Sequence, residues 1–434
     1  MSSPRPTPCL RGLAIAALLA LLIPSPARAN WPAVPPPLPA PTGRVVNVST
    51  EPALQAAVAG VTSDTTIVIA AGTYSLSQSL YFHGPLSNVT LRGATNNRDD
   101  VVLVGQGRDN ANGTPYGIWV GDAVNNLLVA NLTIRDVYYH CIIYNPGPQS
   151  PRVYNIHAKD AGQQLIKTNP NDDGTGINNG IIEYSVFEYT RPSRDWYANA
   201  IQVLAGANWI IRNNLIRNVQ APSGELAGYA VLSWFSASNT TVEGNTFVNC
   251  QREIGMGLIE RTPDDNTGGV VRNNIIFRDS TVTDGDVAIG VYDSPNTRVV
   301  NNTVFIAGSY PNAIEYRFTG TKGAYIANNL VNKAISARDG ATATVTNNLT
   351  TAASALFVDP VNGDLHLKST ATAAIDKGLV QPDVTVDWDG DARPSGSAPD
   401  LGADEFLPYP TPRPPTSVVI RVSWVAAPPG RPRA

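Results

Sequence analysis

Short apolar segments with a polar centre recur along most of the chain. They read VANLTI, VYNIHA, IEYSVF, IRNNLI, VEGNTF, VRNNII, VVNNTV, IANNLV and VTNNLT. They begin at residues 129, 153, 182, 211, 242, 271, 299, 326 and 345, so the steps are 24, 29, 29, 31, 29, 28, 27 and 19 residues. The first position is apolar in every copy and the sixth usually is, while Asn is frequent at the third and fourth. A second apolar strand precedes most copies: CIIYN, LIKTN, AIQVL, VLSWF, AIGVY and AIEYR. One copy is too short to bury its own apolar face, so copies must stack and each must hide the oily side of its neighbour. No helical period intervenes, which excludes a leucine-rich horseshoe, and propeller blades are longer, at about 40 residues or more. The pattern predicts an all-β, single-domain solenoid, a right-handed parallel β-helix.

The Asn pair predicts a sharp corner. Asn tolerates left-handed backbone angles, and its amide can bond to the copies above and below. Upstream, ALQAAVAGV (53–61) has apolar residues at helical spacing, just before the strand TIVIAAGTY. A short helix there would plug the open end of the coil, since solenoids need caps. The expected organisation is a β-helix over 44–350, a closing segment over 351–406, and Pro-rich stretches at 30–43 and 407–434 that lie outside the folded body.

Composition narrows the setting. Arg5 and Arg11 flank the apolar run from Leu13 to Ile23, and Ala27-Arg28-Ala29 follows. This predicts a secretory signal peptide over 1–29 and a secreted protein, extracellular or periplasmic. No later segment reaches about 18 consecutive apolar residues, so no membrane span is expected. A net charge of −4 leaves no basic footprint for nucleic acid. The expected partner is a polysaccharide and the expected state a monomer. Cys141 and Cys250 lie four copies apart, roughly 19 Å at about 4.8 Å per strand. A disulfide needs Cα atoms within about 7 Å, so two buried free thiols are expected.

The cap, the repeated V-x-N-N-x-I and the terminal VDWDGDARPSGSAPDLGADEF together resemble secreted bacterial right-handed β-helix repeat proteins. That superfamily holds pectate, alginate and chondroitin lyases, mannuronan epimerases and proteins of unassigned role, and the resemblance covers roughly residues 44–406. Such a fold hosts many chemistries. Hydrolysis of the polygalacturonase type is disfavoured: Asp172-Asp173 sits in the Gly/Asn-rich loop NPNDDGTGINNG, and no G-H-G exists. The second option is β-elimination on a uronic-acid polymer, which needs a base and a cation to neutralise the substrate carboxylate. Lys167, inside the strand LIKTN, is the candidate base. Facing outward, it would stack beside Gln202 one copy on and near Ser233 two copies on. Lys167-Thr168-Asn169 resembles in part the K-S-x-x-N of calcium-dependent lyases of this fold, and Arg194 stands where their Arg follows. The resemblance implies calcium held by two acidic residues before the Lys. Only Asp160 matches, and Gly162 fills the second place.

The third option is sugar binding without chemistry. Exposed aromatics stack on sugar rings, and amides bond hydroxyls. Candidate contacts are His140, Asn169, Trp196, Tyr197, Asn199, Gln202, Trp234, Glu260, Arg261 and Arg317, joined by Tyr138, Tyr139, Tyr144 and Tyr292. Against these readings, Lys167 is a solvated sheet lysine or one paired with Glu183 or Asp160, about half of the aromatics are core, and Glu260–Arg261 and Glu315–Arg317 are surface ion pairs worth little. The four His lack zinc spacing, and His157 is expected at a corner or in the core. Asp387-Trp388-Asp389-Gly390-Asp391 has Gly fourth, whereas a calcium loop of the EF-hand type needs it sixth, so a structural turn is preferred. The leading reading is a lyase of acidic glycans, with Lys167 as base and Arg194 as acid or substrate clamp. The alternative is a non-catalytic carbohydrate-binding or surface protein.

Overall fold

The computed structural model describes residues 34–408. Three long sheets, of twelve, ten and ten strands, run the length of the body, and every pairing within them is parallel. Each turn of chain contributes one strand to each sheet, so the fold is the expected parallel β-helix. The first position of each repeat forms one column: Val129, Val153, Ile182, Ile211, Val242, Val271, Val299 and Ile326 are successive register partners. All eight are buried. The sixth position does the same in the second sheet, from Ile134 through Phe187, Phe247 and Val304 to Val331. In the third sheet the inward column runs Ile118, Ile142, Ile166, Ile201, Val231, Ile254, Ile289 and Ile314.

The two Asn positions divide the work. The third position turns the chain from the first sheet into the second with a positive φ, at Asn155, Asn213, Asn273, Asn301, Asn328 and Asn347. A left-handed backbone is costly for most residues and tolerated by Asn. The fourth position points inward and builds the ladder. Asn214 Nδ2 donates to Asn245 Oδ1 (2.9 Å), Asn245 to Asn274 (3.1 Å), Asn274 to Asn302 (2.9 Å), Asn302 to Asn329 (3.0 Å) and Asn329 to Asn348 (2.9 Å). Each Oδ1 also accepts the backbone N–H of the preceding Asn, as Asn274 does from Asn245 (3.0 Å). Buried amides are thus satisfied along the whole stack.

The ends close as expected in kind, with one difference. The helix Glu51–Ala59 is capped by the Thr50 side chain and turns Leu54 and Val58 onto the core. The described part of the Pro-rich stretch is not outside the body. Arg92 Nη1 donates to Pro39 O (2.7 Å), Thr66 Oγ1 to Thr42 O (2.9 Å), and the Tyr154 hydroxyl to Pro36 O. Proline carbonyls remain good acceptors, so a proline-rich strand can still lie against polar side chains of the sheet. The expected signal peptide and nearly all of the 407–434 tail lie outside the described residues. At the other end the hairpin of Phe357–Asp359 and Asp364–Leu367 packs a second apolar cluster, including Phe357, Leu365 and Leu401, on Phe277 and Leu330 of the coil. Asp387 accepts from the backbone of Asp389 (2.9 Å), Asp391 (2.8 Å) and Glu405 (3.0 Å), which closes this turn. His157 lies in neither a corner nor the core: it is a second-sheet strand residue bonded to Glu188 (2.9 Å). Cys141 and Cys250 are buried and free.

Replacing Asn274 by Leu leaves the Asn245 backbone N–H without its acceptor in the interior and removes one bond each from Asn245 Nδ2 and Asn302 Oδ1, which keep Ile211 O and the backbone N–H of residue 274. The expected loss is about 3 kcal/mol, read as a lowered denaturant midpoint. An unchanged midpoint would show that the ladder does not hold the coil.

Candidate functional site

The outer face of the third sheet carries the candidate groups, because strand alternation sends every second side chain away from the core. One outward row runs Tyr81, Trp119, Ile143, Lys167, Gln202 and Leu232, then Gly255, Gly290 and Glu315. Lys167 does stand beside Gln202. The next residue of the row is Leu232, and Ser233, which the sequence reading put there, faces inward and is fully buried.

Lys167 is half-buried, and its Nζ sits 5.3 Å from the Tyr197 ring centroid. The acidic partners expected for it are engaged elsewhere. Glu183 is held by Arg152 (3.2 Å) and Arg212 (2.7 Å). Asp160 accepts from Thr190 N (2.9 Å) and Thr190 Oγ1 (2.8 Å) and pairs with Arg108 at 3.6 Å. Among the described residues Lys167 forms no ion pair.

Arg194 comes from the loop between the second and third sheets. Its guanidinium lies 4.2 Å from the Tyr138 ring centroid and donates to Arg108 O (3.0 Å) and Tyr138 O (3.2 Å). His140 is buried at the start of the third-sheet strand His140–Tyr144. Its pKa is pushed down to about 3, first by burial and then by the positive charges of Lys167 and Arg194. Its Nδ1 donates to Gln164 O (3.0 Å) and its ring stacks on Tyr116, 5.6 Å away and 11° from parallel. The neutral imidazole therefore keeps its proton on Nδ1. Beside this group Trp196 is 58% exposed and packs edge-on against Tyr197 (5.6 Å).

Several candidates are struts, not contacts. His140 and Asn199 are 3% and 1% exposed. Asn199 Oδ1 accepts from Gln164 (3.3 Å) and its Nδ2 donates to Tyr229 O (2.5 Å), so its amide is used inside the corner. Tyr144 is likewise interior. Gln202 is buried, with its Oε1 lacking a hydrogen-bond partner among the described residues. Asn169 is half-buried and donates to Asn145 Oδ1 (2.8 Å). Glu260 is exposed, but Arg261 pairs with Asp265 (2.8 Å) and lies over Phe235 (4.1 Å). Arg317 pairs with Asp339 (2.5 Å) over Phe318 and Tyr292, while Glu315 takes Arg338 (3.3 Å). Neither expected surface pair forms.

The later turns of this face are filled. Tyr229, Leu232, Val287 and Tyr292 form an apolar cluster, with Trp234, Tyr310 and Phe318 against it. Gly290 makes room for it, since a Cβ there would lie 2.2 Å from the Tyr229 hydroxyl oxygen. Trp234 belongs to this cluster. The earlier turns hold an aromatic run that the sequence reading missed. Tyr81 stacks on Trp119 (4.4 Å), and Tyr116 meets Trp119 (5.7 Å) and Tyr139 (5.9 Å). Aligning GIWV with CIIY and LIKT would have put Trp119 in the row of Lys167.

Calcium donors do not assemble here. Gly162 stands where the second acidic ligand would be, and a Cβ there would lie 2.0 Å from Tyr138 O and 2.8 Å from Arg194 Nη1. An acidic side chain has no room at that position. The two candidate metal-binding groups among the described residues, His366/Asp389/Asp404 and Asp387/Asp389/Asp391, both belong to the closing segment.

No protein-family model and no curated protein matches the chain. Solved structures do. Pectate lyase Pel9A is 15% identical, with TM-score 0.47, covering 84% of this chain and 96% of its own. A PL6-family polysaccharide lyase from Pseudopedobacter saltans is 12% identical, with TM-score 0.44, covering 75% and 96%. The Streptococcus pneumoniae surface adhesin PfbA is 16% identical, with TM-score 0.42, covering 69% and 92%. At such identity the likeness is one of fold. No described helix is long and apolar enough to cross a membrane.

His140 is expected to stay neutral, with no imidazole NMR titration between about pH 5 and 8. Its folded value lies below the unfolded value of about 6.5. Between the two the unfolded chain binds the extra proton, so this group's contribution to stability falls as pH drops through that window. An inflection near pH 6.5 would contradict the burial of His140 beneath two cations.

Proposed function

We propose that the protein is secreted and binds an acidic polysaccharide along the outer face of its third sheet, cleaving it by β-elimination. The observation that carries this reading is Lys167: a half-buried lysine on the outer face of the sheet that forms no ion pair among the described residues, its Nζ 5.3 Å from the Tyr197 ring centroid. A lysine without an ion pair and an arginine near an exposed Trp suit an anionic sugar, because the ring supplies stacking area and the guanidinium, which Asp195 only partly offsets at 3.7 Å, supplies charge.

Lys167, as the neutral amine, takes the proton on the carbon α to the uronate carboxylate and becomes the ammonium. The electron pair forms a ring double bond, the glycosidic C–O bond at the β carbon breaks, and the leaving oxygen takes up a proton from water. Arg194 faces the carboxylate as negative charge builds on it. It suits that role because two carbonyls and the Tyr138 ring fix its guanidinium beforehand. Gln202 Oε1, one rung from Lys167, is an acceptor for a sugar hydroxyl once a side chain above it shifts. No step needs calcium, since the protein supplies the positive charge. A binding protein without cleavage is the second reading. It is favoured by the same lack of carboxylates, which in calcium-dependent lyases carry the ion.

The test is incubation with pectate, alginate and chondroitin sulfate, followed by the absorbance of the unsaturated product. Cleavage is expected to persist in chelator. Lys167→Ala should lower it by about 10²- to 10⁴-fold, the usual range for a lost general base, while polymer binding persists. Undiminished activity in Lys167→Ala would remove Lys167 as base. Polymer retention without product from the wild-type protein would select the binding reading.

A further inference from the structure

The outward row does not stop at Lys167. Its register partners toward the N-terminal cap are Ile143, Trp119 and Tyr81. Trp119 and Tyr81 are thus two and three strand spacings away, roughly 10 and 14 Å at about 4.8 Å each. There the cap helix and the sheet enclose a cleft of about 410 Å³. Gln55 of the helix, Gln78 and Ser79 of the preceding loop, and the rings of Tyr81, His83 and Trp119 line it. Tyr81 is sandwiched between Trp119 and His83, with both ring centroids 4.4 Å away, and His83 is exposed.

We propose that this cleft is a second sugar-binding site, separate from Lys167 and serving the same polymer. The inference rests on the reading of the Lys167 groove given above. Three observations carry it. The volume lies in the range of ligand sites, about 300–1,000 Å³. The wall joins aromatic surface to uncharged amides and a hydroxyl, which is how proteins hold a pyranose: carbon face on a ring, hydroxyls on polar groups. Trp119, a lining residue, has a buried Nε1 with no hydrogen-bond partner among the described residues, so this ring carries a donor that the protein itself does not use. Neither Asp, Glu, Lys nor Arg lines the cleft. It reads ring shape and hydroxyls, and the carboxylate is read at Lys167 and Arg194. A pyranose unit advances a glycan chain by about one strand spacing, so roughly two or three rings bridge the two sites.

Length dependence tests this directly. Size-graded oligomers of pectate, alginate and chondroitin sulfate are titrated against wild type, Trp119→Ala, Trp119→Phe and Gln55→Ala by calorimetry. For the polymer that binds, wild-type affinity should rise until the chain reaches the cleft and then level off. Trp119→Ala should weaken long oligomers by about 10-fold and leave disaccharides unchanged, with Trp119→Phe restoring most of the loss. Gln55→Ala, which leaves the sheet intact, should give a smaller loss with the same length dependence. Equal losses at every length, or none, overturn the cleft as a sugar site while the Lys167 groove stands. Failure of the wild-type protein to bind any oligomer overturns both.

Discussion

Stacking of equivalent strands at one spacing is the constraint on which everything else depends. A rung of this coil has three short strands and no partner of its own, so its apolar side chains are covered only by the rungs above and below. The register cannot slip by one residue, because a slip would turn every inward side chain outward. The Asn ladder adds a polar reason for the same register. Asn245, Asn274, Asn302 and Asn329 each bond both neighbours, and a displaced rung would leave those amides buried and unsatisfied. Lys167 lies beside Gln202, and Trp119 two rungs away, because the interior allows no other alignment.

The outer face of the third sheet has no such repeated rule, and its turns are used differently. Gly255 and Gly290 leave two rungs bare, and the Tyr229 ring lies across them. That cluster buries aromatic surface in the later turns and ties Arg317 and Arg261 to rings and to acidic partners. Such arginines are poor ligands for a polymer, since each would have to give up both a ring and a carboxylate. The earlier turns carry aromatics, an unpaired lysine and an arginine held by carbonyls. The proposed groove is therefore shorter than one with contacts from His140 through Arg317, and lies toward the cap.

The repeated features were legible and the singular ones were not. The period, the inward columns, the two Asn positions, the capping helix and the free thiols all follow from a rule applied many times, so errors at one copy are corrected by the others. The outward neighbours of Lys167 depend on a one-residue choice of phase in VLSWF, and there Ser233 was named where Leu232 stands. Burial of His140 and Asn199 goes with their bonds to Gln164, and for Asn199 also to Tyr229 O, contacts between loop and strand ends that leave no period in a sequence. The Pro-rich stretch at 30–43 was expected outside the body from its composition alone, yet the carbonyls of Pro39 and Pro36 accept hydrogen bonds from Arg92 and Tyr154.

Gly162 shows how a departure from a motif can be compensated in space. A family resemblance asks for an acidic residue at that position, to share a divalent cation with Asp160. A Cβ at Gly162 would collide with Tyr138 O, and Arg194 Nη1 lies 2.8 Å from the same point. Asp160 in turn is neutralised by Arg108, whose carbonyl accepts from Arg194. The region that would hold a dication thus holds a guanidinium instead, fixed by main-chain oxygens and a tyrosine ring. One delocalised positive charge is weaker than two on a metal, but it is permanently present, since arginine does not lose its proton in proteins. An acidic residue at 162 has no space whether or not Arg194 is present, because a Cβ there would lie 2.0 Å from Tyr138 O and 2.9 Å from Arg108 O, and removing Arg194 would leave Arg108, already paired with Asp160, as the guanidinium at this corner.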